Sequence, residues 1–225
     1  WDSAKKTVRF SNGVERRYDY LLSTMPVNEL ICRDQARSWD CAEKFVFSSS
    51  HIVGIGLRGA PPEKLRTKCW MYFPEDDNPF YRVTVFSNYS PGNVPEGGFW
   101  SLMGEVSASP KKPVDTGSLL QSSIEGFNNT KLIEDNAAIV ATWTWCAGYA
   151  YPTPFLGRDT IVDRLLADLK MLGVYSRGRF GAWKYEVSNQ DHVVMQGDEA
   201  VENMLFGTPE LTFRYPSLVN TQRVR

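Results

Sequence analysis

Two stretches of the sequence crowd together the residue types that bind anions. The first runs Cys69-Trp70-Met71-Tyr72-Phe73-Pro74-Glu75-Asp76-Asp77-Asn78-Pro79-Phe80-Tyr81-Arg82-Val83-Thr84-Val85-Phe86-Ser87-Asn88-Tyr89-Ser90. The second runs Ser176-Arg177-Gly178-Arg179-Phe180-Gly181-Ala182-Trp183-Lys184-Tyr185-Glu186-Val187-Ser188-Asn189-Gln190-Asp191-His192. Guanidinium groups offer paired donors to phosphate oxygens, and tyrosine hydroxyls add donors without adding charge, so either stretch suits a diphosphate. In the first, strand alternation puts Trp70 and Tyr72 on one face and Tyr81 opposite Arg82, so Trp70, Tyr72 and Arg82 can converge. The same pattern fits an aromatic sheet face with an arginine stem lying across it. In the second, alternation places Arg177 and Arg179 on one strand face, and Gly178 and Gly181 permit close backbone approach. Asn189-Gln190-Asp191 reads as a helix start, whose free amides suit a phosphate or a flat anion. An aromatic corner followed by a capped helix describes that stretch equally well. A third segment, Gly148-Tyr149-Ala150-Tyr151-Pro152-Thr153-Pro154, reads as an irregular loop of the kind that carries binding tyrosines.

The elements that must position these residues are mostly extended. Val8 to Phe10, a Ser11-Asn12-Gly13 turn and a second run through Tyr18 to Leu22 make a hairpin. Pro26 opens a short helix through Val27 to Ile31. Strands follow at His51 to Leu57, Lys68 to Phe73, Phe80 to Phe86 and Phe99 to Val106, rich in β-branched and aromatic residues and separated by Pro and Gly turns. Helical spacing predicts a helix over about Thr116 to Asn128, then a strand at about Ala138 to Trp145. A helix over about Asp159 to Leu172, capped by Asp159, would bury Ile161, Leu165, Leu169 and Leu172. The tail is expected to run strand (Val174 to Phe180), loop, helix (about Gln190 to Leu205) and an extended piece, Leu211 to Tyr215. In that last helix Val194, Val201 and Leu205 would form the buried face, with Gly197 marking a close approach. The fold class is α+β, with a meander-like antiparallel sheet of four or five strands. Gly54-Ile55-Gly56 lies inside a strand without a third glycine at the right offset, so it is no dinucleotide fingerprint.

Composition bounds the function classes. The chain has 225 residues, and its 25 Lys and Arg nearly cancel 26 Asp and Glu. No basic field exists to hold nucleic acid or an anionic membrane surface, so an anion must be bound by a few placed arginines. No apolar run approaches the roughly 18 to 20 residues of a membrane helix, and no signal peptide opens the chain, so an intracellular, cytoplasmic protein is expected. Cys32, Cys41, Cys69 and Cys146 lack metal-site spacing with His51 and His192 and read as free, buried thiols. The sequons at Asn88 and Asn128 matter only in a secreted protein. The sequence opens on Trp1 in the middle of what reads as a hairpin, so the C-terminal part of a longer polypeptide is expected, with part of any site upstream.

The two long motifs, with Ser23-Thr24-Met25-Pro26 before them and Tyr151-Pro152-Thr153-Pro154 between, closely resemble the eukaryotic-type UDP-galactopyranose mutases, in the same order and over nearly the whole chain. The resemblance implies a flavoprotein fragment: residues 1–45 as the last strands of a Rossmann-like FAD-binding domain, 46–150 as an antiparallel sheet domain, and 151–225 as a return segment completing the FAD and substrate site. It implies interconversion of UDP-galactopyranose and UDP-galactofuranose on reduced FAD, whose N5 attacks the anomeric carbon, with NADPH or NADH as reductant and a possible homo-oligomer in the full-length protein. A non-catalytic fragment and another FAD-dependent oxidoreductase on the amine-oxidase-like scaffold are the competing readings.

Carried over by motif, Arg82 and Arg179 are the diphosphate clamp, with Arg82 also near the flavin. Tyr72, Tyr151 and Tyr185 would donate hydroxyls to the phosphates, Trp70 and Tyr89 would line the sugar side, and Asn189 and Gln190 would face the flavin pyrimidine ring. His192 is expected to be a packing residue rather than an acid or base. This chain departs from the family at Ala150, where other members carry glycine, and in a shorter segment after Pro91; Tyr149 rivals Tyr151 as the phosphate-binding tyrosine.

Overall fold

In β4 (Phe47–Arg58) Val53, Ile55 and Leu57 are buried while the residues between them are not, the period-2 signature of a strand with one face on a core. The computed structural model describes residues 1–221 and divides into two units, residues 48–150 and residues 1–47 with 151–221. In chain order the strands are β1 (Thr7–Arg9), β2 (Glu15–Arg17), β3 (Leu21–Ser23), β4, β5 (Trp70–Tyr72), β6 (Arg82–Val85), β7 (Phe99–Ala108), β8 (Ile139–Pro152) and β9 (Val174–Ser176). The helices are α1 (Val27–Cys32), α2 (Leu119–Asn129), α3 (Arg158–Met171), α4 (Gln190–Phe206), α5 (Leu211–Arg214) and α6 (Pro216–Thr221). The fold is α+β, as the pattern of elements predicts.

The 48–150 unit is built on a five-stranded sheet in the order β5-β6-β7-β4-β8, with β5, β6, β7 and β4 paired antiparallel. One face carries Val53, Ile55, Leu57, Val83, Val85, Leu102 and Val106 into a core closed by Leu119 and Phe127 of α2. Phe80 stacks on Phe127 at 4.9 Å, and a Cβ at Gly126 would lie 2.9 Å from that of Asn78, so only glycine lets α2 approach this closely. Register decides the other face. Tyr72 pairs with Arg82 and Arg82 with Glu105, while Trp70 pairs with Thr84 and Thr84 with Met103. Because side chains alternate, these two neighbouring rows point away from α2 together.

In the other unit β1 and β2 form a hairpin across the Asn12-Gly13 turn, but its second strand ends at Arg17; Leu21–Ser23 is a separate strand, parallel to β9. β9 stops at Ser176, short of the expected Phe180. Helix α3 begins after Gly157 in the left-handed conformation, not at an Asp159 cap, and buries Val162, Leu165, Leu166 and Leu169; Asp159 instead pairs with Arg158. Leu211–Arg214 is helical rather than extended, its first amide turn tied down by Glu199, which accepts from Thr212 N at 2.9 Å. In α4 the expected apolar face is inverted: Val194, Val201 and Leu205 are exposed, Gln196 and Ala200 are buried, and a Cβ at Gly197 would meet nothing. The cysteines are free but not buried; Cys32, Cys69 and Cys146 are exposed.

Candidate active-site residues

On the sheet, Arg82 is gripped by a residue that motif reasoning passed over. Its Nε donates to Glu105 Oε1 at 2.6 Å and its Nη2 to Oε2 at 2.7 Å, a two-pronged pairing. Tyr81 precedes β6, so strict alternation does not govern it: its hydroxyl donates to the same Glu105 at 2.9 Å rather than pointing away from Arg82. Glu105 is only 6% exposed, so its charge depends on these partners. The sequence signal was a lone carboxylate in the otherwise uncharged β7.

Around this pair the aromatics are open. Trp70, Tyr72 and Tyr89 are 59%, 66% and 45% exposed. The Arg82 guanidinium lies 5.8 Å from the Trp70 ring centre, and Tyr89 meets Trp70 edge-on at 6.4 Å. Large rings left in water around a fixed cation form a surface that a ligand or another part of the protein can cover. Because Glu105 neutralises Arg82, this surface offers directed donors rather than net charge. Burial pushes the Tyr89 phenol up, which keeps it a neutral donor. The turn that carries Tyr89 is held by Asn88, whose Nδ2 reaches the carbonyls of Leu65, Arg66 and Lys68 at 2.9, 3.2 and 2.8 Å.

In the other unit the two arginines of the second motif part company. The alternation reading fails because the strand ends before them. Arg177 turns inward, 2% exposed, and forks onto Glu210 at 2.5 and 2.8 Å with its guanidinium 4.2 Å from the Phe213 ring centre. It is a structural ion pair that pins α5. Arg179 stays at the surface, where its Nε donates to the Ser188 carbonyl at 3.2 Å and its guanidinium lies 5.1 Å from the Tyr151 ring centre. Tyr151 and the half-exposed Tyr185 have ring centres 6.0 Å apart, so Arg179, Tyr151 and Tyr185 form one cluster.

The backbone of this loop is tightly specified. Gly178 has φ +87°, and Trp183, fully buried against Phe45, holds a φ of +52°. A Cβ at Gly181 would stand 2.2 Å from the Arg177 carbonyl oxygen. After the loop, Asn189 is the extended N-cap of α4 and makes no capping hydrogen bond. Its exposed side chain and that of Gln190 therefore sit at the positive end of a helix of 17 residues. His192, in the first turn, is largely buried, with Nδ1 unpartnered among the described residues.

No family model matches the chain. Among solved structures, it is similar to reduced UDP-galactopyranose mutase with a TM-score of 0.95 and 45% identity, covering 99% of this chain and 48% of that one. A candidate protoporphyrinogen oxidase from Exiguobacterium sp. 255-15 matches with a TM-score of 0.61 and 12% identity over 87% of this chain and 44% of its own. An oxidoreductase from Methanosarcina mazei matches with a TM-score of 0.52 and 10% identity over 79% of this chain and 43% of its own. The latter two show the fold alone. The chain thus spans about half the length of the solved relatives it matches.

Proposed function

We propose that this chain is part of a UDP-galactopyranose mutase, a flavoprotein interconverting UDP-galactopyranose and UDP-galactofuranose. The observation that carries this reading is 45% identity across 99% of the chain to a reduced UDP-galactopyranose mutase. The exposed arginine and tyrosine clusters supply what its substrate requires. UDP must be released from the anomeric carbon yet kept for return, so donors to both phosphates have to be fixed in advance.

Arg179, with the hydroxyls of Tyr151 and Tyr185, is assigned to the diphosphate. The ring contact between Arg179 and Tyr151 supports Tyr151 in this role. Arg82 and Tyr72 are assigned to the diphosphate as well, with Trp70 and Tyr89 toward the sugar. Glu105 would hold the Arg82 guanidinium in one plane and so fix the direction from which it meets the phosphate.

FAD in its reduced form would supply the nucleophile for the anomeric carbon. The donors at the start of α4 fit the carbonyl edge of a flavin: an N-cap Asn189 side chain free of any cap bond, Gln190, and the first-turn amides. Arg82 is also assigned near the flavin. None of these residues is an acid or base; they bind and orient. NADPH or NADH would act as reductant. Among the described residues no helix is long and apolar enough to cross a membrane, and the near-zero net charge gives no field for nucleic acid. A cytoplasmic enzyme, possible as a homo-oligomer, accords with these features.

The test is direct: the full-length protein, reduced with dithionite or NADPH, should convert UDP-galactofuranose to UDP-galactopyranose on chromatography. A reduced, flavin-loaded enzyme without that conversion overturns the reading. An amine-oxidase-like oxidoreductase rests on fold likeness at 10–12% identity and has no use for a diphosphate clamp.

A further inference from the structure

Gln196 belongs to no motif and lies two turns into α4, yet it is one of the largest fully buried side chains, 1% exposed. Both ends of its amide are used. Oε1 accepts from the Gly178 amide at 2.9 Å, and Nε2 donates to the Val187 carbonyl at 2.7 Å. Gly178 and Val187 flank the loop that carries Arg179 and Tyr185. Gly178 is immediately before Arg179, and Val187 is next to Ser188, whose carbonyl receives the Arg179 Nε at 3.2 Å. One buried amide therefore ties both feet of this loop to the helix that begins at Asn189.

The loop needs such a tie. Gly178 and Trp183 hold left-handed backbone, so the conformation is not one the chain would keep by itself. Inside the loop, Ala182 N bonds the Gly178 carbonyl at 2.9 Å and Ser188 Oγ the Tyr185 carbonyl at 2.8 Å. Its middle is held by Val27 N on the Phe180 carbonyl at 3.0 Å and by the Lys184–Asp163 and Arg158–Glu186 pairs, and Gln196 holds its two feet to α4. A buried amide with both ends satisfied is rigid, and losing it strands a donor and an acceptor together.

We propose that Gln196 is a positioning residue for UDP binding: it acts through Arg179, by fixing the 178–188 loop to α4. The inference rests on the reading of Arg179 as a diphosphate ligand. It assigns to a residue that touches neither substrate nor flavin a share of substrate affinity, and it links the helix start at Asn189 to the arginine loop through one side chain.

The experiment is a double-mutant cycle in the flavin-loaded full-length enzyme, with UDP affinity measured by calorimetry for wild type, Gln196→Met, Arg179→Ala and the double variant. Gln196→Met should weaken UDP binding at least tenfold while flavin content and absorbance spectrum stay those of wild type. It should cost distinctly less once Arg179 is already alanine, the remainder being the share of Tyr185 on the same loop. Gln196→Asn, whose amide is one methylene shorter and can reach at most one of Gly178 N and Val187 O, should fall between wild type and Met. Undiminished UDP affinity in Gln196→Met overturns the proposal, as does a loss equally large in the Arg179→Ala background. Full UDP affinity in Arg179→Ala instead overturns the reading of Arg179 beneath it. Should Gln196→Met yield no folded enzyme, Gln196→Asn with and without Arg179→Ala decides by the same criterion.

Discussion

Glu105 holds Arg82 by two parallel hydrogen bonds of 2.6 and 2.7 Å across adjacent antiparallel strands. The pair is directly opposed in the β6–β7 register, so its geometry is set by the sheet rather than by flexible stems. Replacing Glu105 by Gln puts an amide donor against a guanidinium donor and removes the buried charge that offsets it. We expect a loss of roughly 3 kcal/mol in unfolding free energy, read as a lower denaturant midpoint with unchanged slope. A midpoint equal to wild type would show that Arg82 finds another partner at no cost.

Arg82→Ala and Arg179→Ala should each abolish conversion of UDP-galactofuranose by the reduced full-length enzyme. Each removes donors that the departing diphosphate needs, and no neighbouring lysine in either cluster can replace a two-pronged guanidinium. Product formation by chromatography checks this, and normal turnover in both variants would refute the clamp.

The 225-residue chain by itself should bind no stoichiometric flavin. The donors proposed at the start of α4 would reach only one edge of the ring system, and the sequence contains no glycine-rich strand-to-helix turn for the dinucleotide phosphates. The absorbance of the purified chain decides, since a yellow protein with a 1:1 flavin content contradicts the expectation.

Gly181→Ala should disrupt the arginine loop. The added Cβ would fall 2.2 Å from a backbone oxygen, which no side-chain rotation relieves. A destabilisation above about 3 kcal/mol, or failure to accumulate soluble protein, is expected. By contrast Gly197→Ala, whose Cβ meets nothing within 4 Å, should be tolerated and raise α4 stability by several tenths of a kcal/mol up to about 1 kcal/mol. Denaturation of the two variants side by side provides the check.

The sheet strands from β4 to β7 were legible in the sequence because alternation of β-branched and aromatic residues with turn residues between is local information. So was the helix start at Asn189, where cap chemistry declares itself. Local pattern failed where a long-range partner outweighed it. Arg177 and Arg179 read as equivalent by alternation, but Glu210, 33 residues away, draws Arg177 inward and leaves Arg179 outside. Val194, Val201 and Leu205 read as a buried stripe, yet tertiary packing put Gln196 and Ala200 inside instead. Sequence by itself thus determined the strands of the sheet and the positions of the longer helices. The tertiary structure decided which arginine is drawn into the core and which carboxylate holds Arg82, because those choices rest on ion pairs and hydrogen bonds between residues far apart in the chain.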